Sequence, residues 1–505
     1  MNDDGFPSGS KPKKIGGLSW VWIVSLALLI GVFAFASVPG VTAQGRDAES
    51  QTENAQRSRR YMAVIQQVFE IIQRSHVDEV DPEALFEGAM TGMFDSLDDP
   101  YSAFLPVSEM RGMNDTTQGT FGGVGLYISQ QTGKEHPYVE VASPIEETPG
   151  SRAGISAGDL IISIDGEPTD RMNMEEVLSK LRGRPGTDVT LVIRRGERLE
   201  FPKTLRREII EVPTTRHAMI GNDIGYVRLL SFTPRTAART EEAIAYFKEN
   251  GYRAMILDLR NNYGGLLNSA IDISSFFLDD GLVVSTRSRI ASENRVFNTT
   301  RPRLVDPDIP VIVLTNRGSA SASEIVAGAL KDRHRALLVG ETTYGKGSVQ
   351  QVFPLGEAGF RLTTARYYTP SDISIDGVGI IPDRHVPTPD FSDANVQELN
   401  RLLNDQTVAE FVSGNPGANQ TQVDAFARRT ATEYGLELAL IRRLIRNEQH
   451  RTTTTPVFDL EFDNQLQDAV NILRNGEFQG LMRAAKTIRA LQEELWDSGE
   501  EDAAA

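Results

Sequence analysis

The stretch from Ile309 to Gln350, IPVIVLTNRGSASASEIVAGALKDRHRALLVGETTYGKGSVQ, decides the fold. Its first seven residues are nearly all apolar and β-branched, which predicts a strand buried on both faces of a sheet, and the turn NRG ends it. A helix is predicted next, because apolar residues recur at helical spacing and Ser321 and Glu324 have the spacing of a capping box. Ser321 therefore lies at a strand-to-helix corner. An oxyanion that formed beside Ser321 would be stabilised by the unpaired N–H groups and the dipole of the first helical turn.

A second corner of the same kind precedes the first. The predicted strand 254–259 ends in RNNYGG and is followed by the helical pattern LLNSAIDISSFF. If the two strands are neighbours in one sheet, N–H groups of Gly264 or Gly265 and of Ala322 can form an oxyanion hole between them. The alternative is that Gly264 and Gly265 only make a tight turn.

A serine hydroxyl needs a base, and two types of residue compete for that role. Lys346 lies in the glycine-flanked turn YGKGS, and Gln350, four residues on, falls on the same face of a strand, where its amide can orient the amine. To act near neutral pH, Lys346 must lose roughly three units from a pKa of about 10.4, which costs about 4 kcal/mol and requires apolar burial. A Ser/His/Asp hydrolase that uses His334 or His217 stays open, although His334 lies beyond a helix of about three turns.

Composition excludes several classes of function. The 505 residues are 40% apolar and 24% charged, with a formal charge of -17, which is unlike a nucleic-acid-binding protein. The absence of cysteine excludes disulfides and thiolate catalysis. The six histidines are scattered and show no HExxH spacing, so neither a metal nor another cofactor is expected.

The N-terminus predicts export. Three lysines precede the uncharged segment 18–38, whose 21 residues suit a spanning helix, while Val41-Thr42-Ala43 has the form of a cleavage site. Residues 1–44 are thus a signal peptide or a signal anchor, which contacts the membrane through residues 18–38 if it is not cleaved, and the rest of the chain is translocated. Residues 45–60 are predicted to be a linker.

Residues 117–205 combine short β patterns with one helical pattern and several glycine turns. The stretch from Ala153-Gly154-Ile155 through Gly158-Asp159-Leu160-Ile161 to Asp165-Gly166 resembles a PDZ domain. Such domains hold a peptide's terminal carboxylate on backbone N–H groups of a glycine loop, a position that is occupied here by Gly122, Gly123, Val124 and Gly125. The alternative is that these glycines only bend a strand. Arg182 is a candidate regulatory contact or an ordinary surface arginine.

At three separate motifs the chain resembles the C-terminal processing peptidases, serine proteases of the tail-specific protease family. The motif GSASASE (318–324) matches the nucleophile motif of that family, and GKG (345–347) with Gln350 matches its lysine and glutamine, at a spacing of 346 − 321 = 25. The motif DLRNN (258–262) with Gly264-Gly265 matches the oxyanion loop, although Tyr263 stands where proline is common. The resemblance implies that Ser321 is the nucleophile and that the PDZ domain captures substrate C-termini and gates the site. It also implies that Arg182 senses the Gln350 region.

The remaining segments have helical patterns. Residues 61–116 are predicted to form a helical cap, whose apolar face could equally pack against a second subunit. In 391–505 the helices are predicted at 396–412, 423–447 and 466–495. This extension is either an oligomerisation or adaptor-docking element or a packed appendage.

Together these features predict an α/β protease core with a mixed sheet and flanking helices (206–390), an inserted α+β PDZ domain (117–205), a helical N-terminal cap and a helical C-terminal extension. The predicted function is that of an exported serine endopeptidase of the bacterial cell envelope or periplasm, free or anchored in the inner membrane. Its expected partners are polypeptides with accessible C-termini, an adaptor or regulatory protein, and further copies of the chain. A non-catalytic PDZ scaffold on a degenerate protease core is the remaining alternative.

Overall fold

The computed structural model describes residues 38–129, 137–196, 198–388, 393–450 and 456–498, and the chain divides after Ser96 into two compact units. The first unit contains helices α1 (Val38–Ser75) and α2 (Pro82–Asp95). Residues 45–60, the predicted linker, are helical, and Ala, Gln, Glu and Arg, which favour helix, make up most of them. No helix within the described ranges has the length and apolar character needed to cross a membrane. Residues 18–37 of the predicted targeting segment lie outside those ranges.

The second unit begins with elements that lead into the α+β module. In chain order they are β1 (Ala103–Leu105), α3 (Val107–Gln118), β2 (Thr120–Gly123), β3 (Leu126–Ser129), β4 (Val139–Pro144), α4 (Pro149–Arg152), β5 (Leu160–Ile164), β6 (Glu167–Pro168), α5 (Met174–Leu181), β7 (Asp188–Arg195) and β8 (Leu199–Arg206). The sheet of the module has the order β3-β4-β5-β7-β8, with β6 beside β5. Val177 of α5 packs against Ile161 and Leu191 in a core of its own. The predicted α+β module is therefore a distinct packing unit.

The protease-core region follows. Its elements are β9 (Glu208–Glu211), β10 (Thr215–Ile220), β11 (Ile224–Leu229), α6 (Thr236–Glu249), β12 (Ala254–Asp258), α7 (Leu267–Ser275), β13 (Leu282–Arg287), β14 (Arg295–Asn298), β15 (Val311–Thr315), α8 (Ala322–Asp332), β16 (Leu337–Gly340), β17 (Ser348–Leu355), β18 (Ala358–Tyr368) and β19 (Arg384–His385). Six of the strands form a central sheet in the order β10-β11-β12-β15-β16-β19, in which only β10 pairs antiparallel with its neighbour. The mixed sheet confirms the fold prediction.

Both faces of the central sheet are covered, and alternate residues of each strand point to opposite faces. Leu257 and Val313 pack with Ile325 of α8 on one face. Ile256 and Ile312 pack on the other face, against helices of the C-terminal extension. This explains why β12 and β15 are buried along their whole length, as the apolar sequences predict.

A second sheet supports the segment around Gln350. Its strands have the order β1-β18-β13-β14, and β17 pairs antiparallel with β18. The pairing of β17 with β18 changes register between Val349 and Gln350, which indicates a β-bulge. The extra residue is Thr364, so the bulge lies in β18, opposite Val349 and Gln350.

The C-terminal extension has two parts. Its helices are α9 (Asp393–Asn404), α10 (Thr407–Gly414), α11 (Gln420–Tyr434), α12 (Leu438–Gln449), α13 (Asn464–Arg474), α14 (Phe478–Ala484) and α15 (Ile488–Ser498). The first four form their own apolar cluster, whereas α13 and α14 cover the central sheet. The three long helices predicted are each divided, at left-handed Gln406, Gly435 and Gly476. The part from α13 onward is thus a packed element of the core.

Candidate active site

The two strand-to-helix corners predicted from the sequence are in direct contact. β12 and β15 are parallel, hydrogen-bonded neighbours, so their carboxyl ends lie at the same edge of the sheet. A Cβ added to Gly264 would lie 2.8 Å from the Ser321 Cβ and 2.9 Å from the Ala322 nitrogen. Gly264 also has φ of +101°, a conformation that residues with side chains rarely adopt. Only glycine fits at this contact.

Ser321 has an unusual backbone conformation. Its φ and ψ are 55° and -112°, at the residue that precedes the first turn of α8. A non-glycine residue in such a region costs of order 1–3 kcal/mol and persists only where its surroundings hold it. The corner thus presents the hydroxyl from a fixed, strained position.

Asn262 is the residue that ties the two corners together. Its backbone carbonyl accepts hydrogen bonds from Ala320 N (3.1 Å) and Ser323 Oγ (2.8 Å). Its amide Nδ2 donates to Leu229 O at 2.9 Å, and its Oδ1 accepts from Gly264 N at 2.9 Å. Because the side chain is fully buried, these bonds define the loop after β12 relative to Ser321.

The N–H groups proposed for an oxyanion hole differ in availability. The Gly264 N–H is already donated to Asn262 Oδ1. The N–H groups of Gly265 and Ala322 have no acceptor among the residues that the structure describes. Gly265 and Ala322 are therefore the candidate donors, and Gly264 contributes the close approach.

Glu324 joins the candidate nucleophile to the candidate base. Its Oε2 accepts from the backbone N–H groups of Ser321 and Lys346, both at 2.8 Å. Its Oε1 accepts from Gly345 N at 2.7 Å and from Thr343 Oγ1 at 2.6 Å. Burial raises the pKa of the Glu324 carboxyl above its usual value, and the four donors oppose that shift. One buried carboxylate thus fixes the two backbones relative to each other.

Lys346 is half-buried, and its ammonium lies over the ring of Tyr101, 4.7 Å from the centroid. Among the described residues, no hydrogen bond joins Lys346 Nζ to Ser321 Oγ. Burial lowers the pKa of Lys346 below its usual value, and the positive charge of Arg361 lowers it further. These two causes act in the direction that a lysine base requires.

Gln350 contacts other partners than Lys346. Its Nε2 donates to Ser348 Oγ at 2.9 Å and to Thr363 Oγ1 at 3.3 Å. Lys346 lies two residues before Ser348, the first residue of β17, so the alternation of the strand does not extend to it and even spacing does not place the two side chains on one face.

The histidine alternatives gain no support from the geometry. His334 follows the C-terminus of α8, whose 11 residues separate it from Ser321 by roughly 16 Å at about 1.5 Å per residue. His217 packs on Tyr246 and Phe247, with ring centroids 5.2 and 6.0 Å away. Within the described ranges, no hydrogen bond joins Ser321 to either histidine.

The candidate peptide-binding loop connects β2 to β3. Gly122 and Gly123 pair with β9, and a Cβ on Gly122 would meet Gly183 O at 2.2 Å, so Gly122 also has a packing reason to be glycine. The N–H groups of Val124 and Gly125 have no acceptor in the part of the chain that the structure describes. Two adjacent free N–H groups are what capture of a terminal carboxylate needs.

Arg182 lies at the end of α5. Its Nη1 pairs with Asp115 Oδ2 at 3.3 Å, and its guanidinium stacks over the Phe121 ring at 4.9 Å. In this structure its partners are therefore α3 and β2, and none of its hydrogen bonds within the described residues reaches Gln350.

Three residues of the site were not predicted in these roles. Glu324 was expected only as part of a capping box, Asn262 only as a residue of the oxyanion-loop motif, and Tyr101 was not expected to contact the site. A signal for Glu324 was present, because it is the one charged residue in the otherwise small and apolar run ASASEIVAGAL. A charge in such a run needs buried partners.

Three family models match the chain. They are Peptidase family S41 at residues 223–386, a PDZ domain at 140–195, and the N-terminal domain of the activating protease CtpB at 28–108.

Individual relatives cover much of the chain. A carboxy-terminal-processing protease of Bartonella bacilliformis is 41% identical over 344 residues, which are 67% of this chain and 78% of that protein. The carboxy-terminal processing protease CtpB of Bacillus subtilis is 32% identical over 374 residues, 73% of this chain and 74% of that protein. The solved structure of a photosystem II D1 C-terminal processing protease is 29% identical, covers 64% of this chain and 92% of its own, and has a TM-score of 0.39.

Proposed function

The chain belongs to peptidase family S41, with the carboxy-terminal processing proteases, and we propose that it is an exported endopeptidase that cleaves with a Ser321/Lys346 dyad. The family membership, the serine-type peptidase class and the PDZ domain were all predicted from the sequence and are confirmed by these matches. The observation that supports the dyad is the Glu324 carboxylate, which accepts a hydrogen bond from the backbone of each of the two residues.

In the proposed reaction, Ser321 Oγ attacks the scissile carbonyl carbon while its proton passes to neutral Lys346 Nζ. The N–H groups of Gly265 and Ala322 stabilise the resulting oxyanion. Collapse breaks the C–N bond, the leaving amine takes the proton from Lys346, and an ester to Ser321 remains. A water then attacks that ester with Lys346 as base, which releases the new C-terminus and restores Ser321. For the first step Lys346 must turn from Tyr101 towards Ser321.

The proposed substrates are polypeptides with accessible C-termini. The free N–H groups of Val124 and Gly125 would donate hydrogen bonds to the terminal carboxylate, and the residues before it would add a strand beside β3. Gly122 and Gly123 would set the shape of this loop. Arg182 would couple it to the region of Gln350.

The proposed location is the bacterial cell envelope or periplasm. It rests on the lysines that precede the apolar segment 18–38, which is either cleaved or retained in the inner membrane. The same proposal includes assembly with further copies of the chain and control by an adaptor or regulatory protein. The domain limits 1–44, 61–116, 117–205, 206–390 and 391–505 are also proposals, with the reservation that α13 and α14 pack on the core.

A cleavage assay on a protein with an apolar C-terminal tail tests the dyad. We expect cleavage by the wild type and by Lys248→Ala, a control at an exposed lysine of α6, and none by Ser321→Ala or Lys346→Ala. Equal cleavage by all four proteins would exclude the dyad. If even the wild type never cleaved and never reacted with a serine-directed probe, the non-catalytic scaffold would be favoured. Amidation of the tail should raise KM if the carboxylate is recognised.

A further inference from the structure

We infer that Asp463, in the C-terminal extension, is a positioning residue for the loop that carries Gly264 and Gly265. The inference rests on the proposed function, since it assigns to the extension a part in the same site. The link between Asp463 and the loop is Arg260, which lies two residues after the end of β12.

Arg260 is held by two carboxylates from distant parts of the chain. Its Nη2 and Nε donate to Asp258 Oδ2 and Oδ1 at 2.7 and 3.0 Å. Its Nη1 and Nη2 donate to Asp463 Oδ1 and Oδ2 at 2.7 and 2.6 Å, in a bidentate pair. Gln465 Oε1 accepts a further bond from Nη1 at 3.0 Å. The Arg260 side chain is only 11% exposed, so these bonds are well shielded from water.

Asp258 belongs to the sheet and remains paired without the extension. Its carboxylate is fully buried and also accepts from Tyr226 OH at 2.7 Å. Burial raises the pKa of Asp258, but the charge and hydrogen bonds of Arg260, the charge of Arg228 and the hydrogen bond from Tyr226 together outweigh burial, so the pKa lies below its usual value. Loss of Asp463 therefore leaves a neutral Asp258–Arg260 pair rather than an unpaired buried charge.

Asp463 is itself held in place by the helix that it caps. It is the N-cap of α13, and its Oδ1 accepts from Leu466 N at 2.9 Å. Leu466 and Val470 of α13 pack against the central sheet. The carboxylate thus meets Arg260 from a helix that is fixed to the same sheet that supports the loop.

Hydrogen bonds of Asn262 hold the loop near Ser321, and Arg260 provides a second attachment close to the end of β12. Between Arg260 and Gly264 it consists of two asparagines and Tyr263, a residue that is 77% exposed. Arg260 precedes by two residues Asn262, whose carbonyl holds the Ser321 corner. A displacement of Arg260 would therefore also move the Gly265 N–H, because only a short stretch of backbone separates the two residues.

Kinetics of Asp463→Ser and Asp463→Asn test this role in the full-length protein. Both replacements keep a good N-cap for α13 but lose the bidentate ion pair. We expect kcat to fall about 10- to 100-fold with KM changed less than about twofold, because misplaced N–H donors stabilise the transition state less but leave substrate binding unchanged. The affinity for a peptidyl boronic acid, which forms a tetrahedral adduct with the serine, should fall by a similar factor. Asp424→Ser is the matched control, since it removes a part-buried ion pair with Arg442 inside the extension.

Two outcomes would overturn the inference. One is a kcat for both Asp463 variants equal to that of Asp424→Ser. The other is unchanged amide hydrogen exchange of residues 259–265 in Asp463→Ser, a readout that does not depend on catalysis. Failure of the proposed function would look different, because then the wild type itself would not cleave while the exchange of the loop would still increase in the variant.

Discussion

Replacement of Glu324 by glutamine or alanine tests the contact that joins the two candidate catalytic residues. The carboxylate accepts four hydrogen bonds, two on each oxygen. A hydrogen bond to a charged group contributes about 1.5–3 kcal/mol. Alanine leaves all four donors without their acceptor, so we expect the free energy of unfolding to fall by more than about 4 kcal/mol. We expect kcat to fall at least about 100-fold, because the backbones of Ser321 and Lys346 are then no longer linked.

Glutamine should have a smaller effect, and the hydrogen bonds explain why. If its amide nitrogen occupied the Oε2 position, the N–H groups of Ser321 and Lys346 would both face a donor, at a cost of about 3–6 kcal/mol. At the Oε1 position the Gly345 N–H would lose its acceptor, and the Thr343 hydroxyl, which already accepts from Ile380 N, would rotate to accept from the amide as well and lose the acceptor of its own hydrogen. The second orientation is therefore preferred, because the new bond from the amide to Thr343 replaces one of the two that are lost, and the expected loss of unfolding free energy is about 1.5–3 kcal/mol. It keeps the link between Ser321 and Lys346, so kcat should stay within about tenfold of wild type.

Urea unfolding and kcat, measured on the same preparations, distinguish these cases. Glu341→Gln is the control, since Glu341 accepts from Thr388 N and Oγ1 in an exposed position, and it should cost less than about 1 kcal/mol. Wild-type kcat in Glu324→Ala would refute the reasoning. So would a glutamine variant as inactive as the alanine variant, because the orientation argument predicts a graded loss.

Three further predictions concern other parts of the site. Gly264→Ala places a methyl group 2.8 Å from the Ser321 Cβ, so kcat should fall at least about 100-fold, and wild-type kcat would contradict the contact. Arg361→Gln removes a positive charge that lowers the pKa of Lys346; that pKa should rise, so less neutral amine is present at pH 7 and the rising limb of kcat/KM against pH moves to higher pH. An unshifted profile would exclude Lys346 as the titrating base. His334→Ala should keep kcat/KM within about twofold, whereas a histidine mechanism requires its loss.

Local sequence patterns were sufficient to predict the strands and helices of the site and its two strand-to-helix corners. An apolar β-branched run that ends in a turn and leads into a helical pattern specifies β15 and α8, and the same pattern specifies β12 and α7. Parallel order then brings Gly264 next to Ser321, because the carboxyl ends of neighbouring strands share an edge. This part of the site follows from rules about consecutive residues.

Contacts between distant residues could not be predicted in this way. Asp463 binds Arg260 across 203 positions of sequence, and no periodicity marks either residue as a partner of the other. The contacts of Gln350 depend on where β17 begins, because Lys346 lies before Ser348 and is not part of the strand that carries Gln350. The sequence does not show that the extension has two parts, because α13 is as amphipathic as the helices of the separate cluster. What distinguishes α13 is that it packs on the central sheet, which is a contact between distant residues.

The position of Lys346 connects the structure to the proposed reaction. A cation over an aromatic ring gains about 0.5–2 kcal/mol, and this gain belongs to the ammonium form alone, so Tyr101 favours the protonated state that cannot act as a base. Burial and Arg361 favour the neutral amine instead. Movement of Lys346 from Tyr101 towards Ser321 would therefore both shorten the path of the proton and remove the contact that opposes deprotonation. The Gly265 and Ala322 N–H groups have no acceptor among the described residues, so no existing hydrogen bond has to break before they can bind an oxyanion.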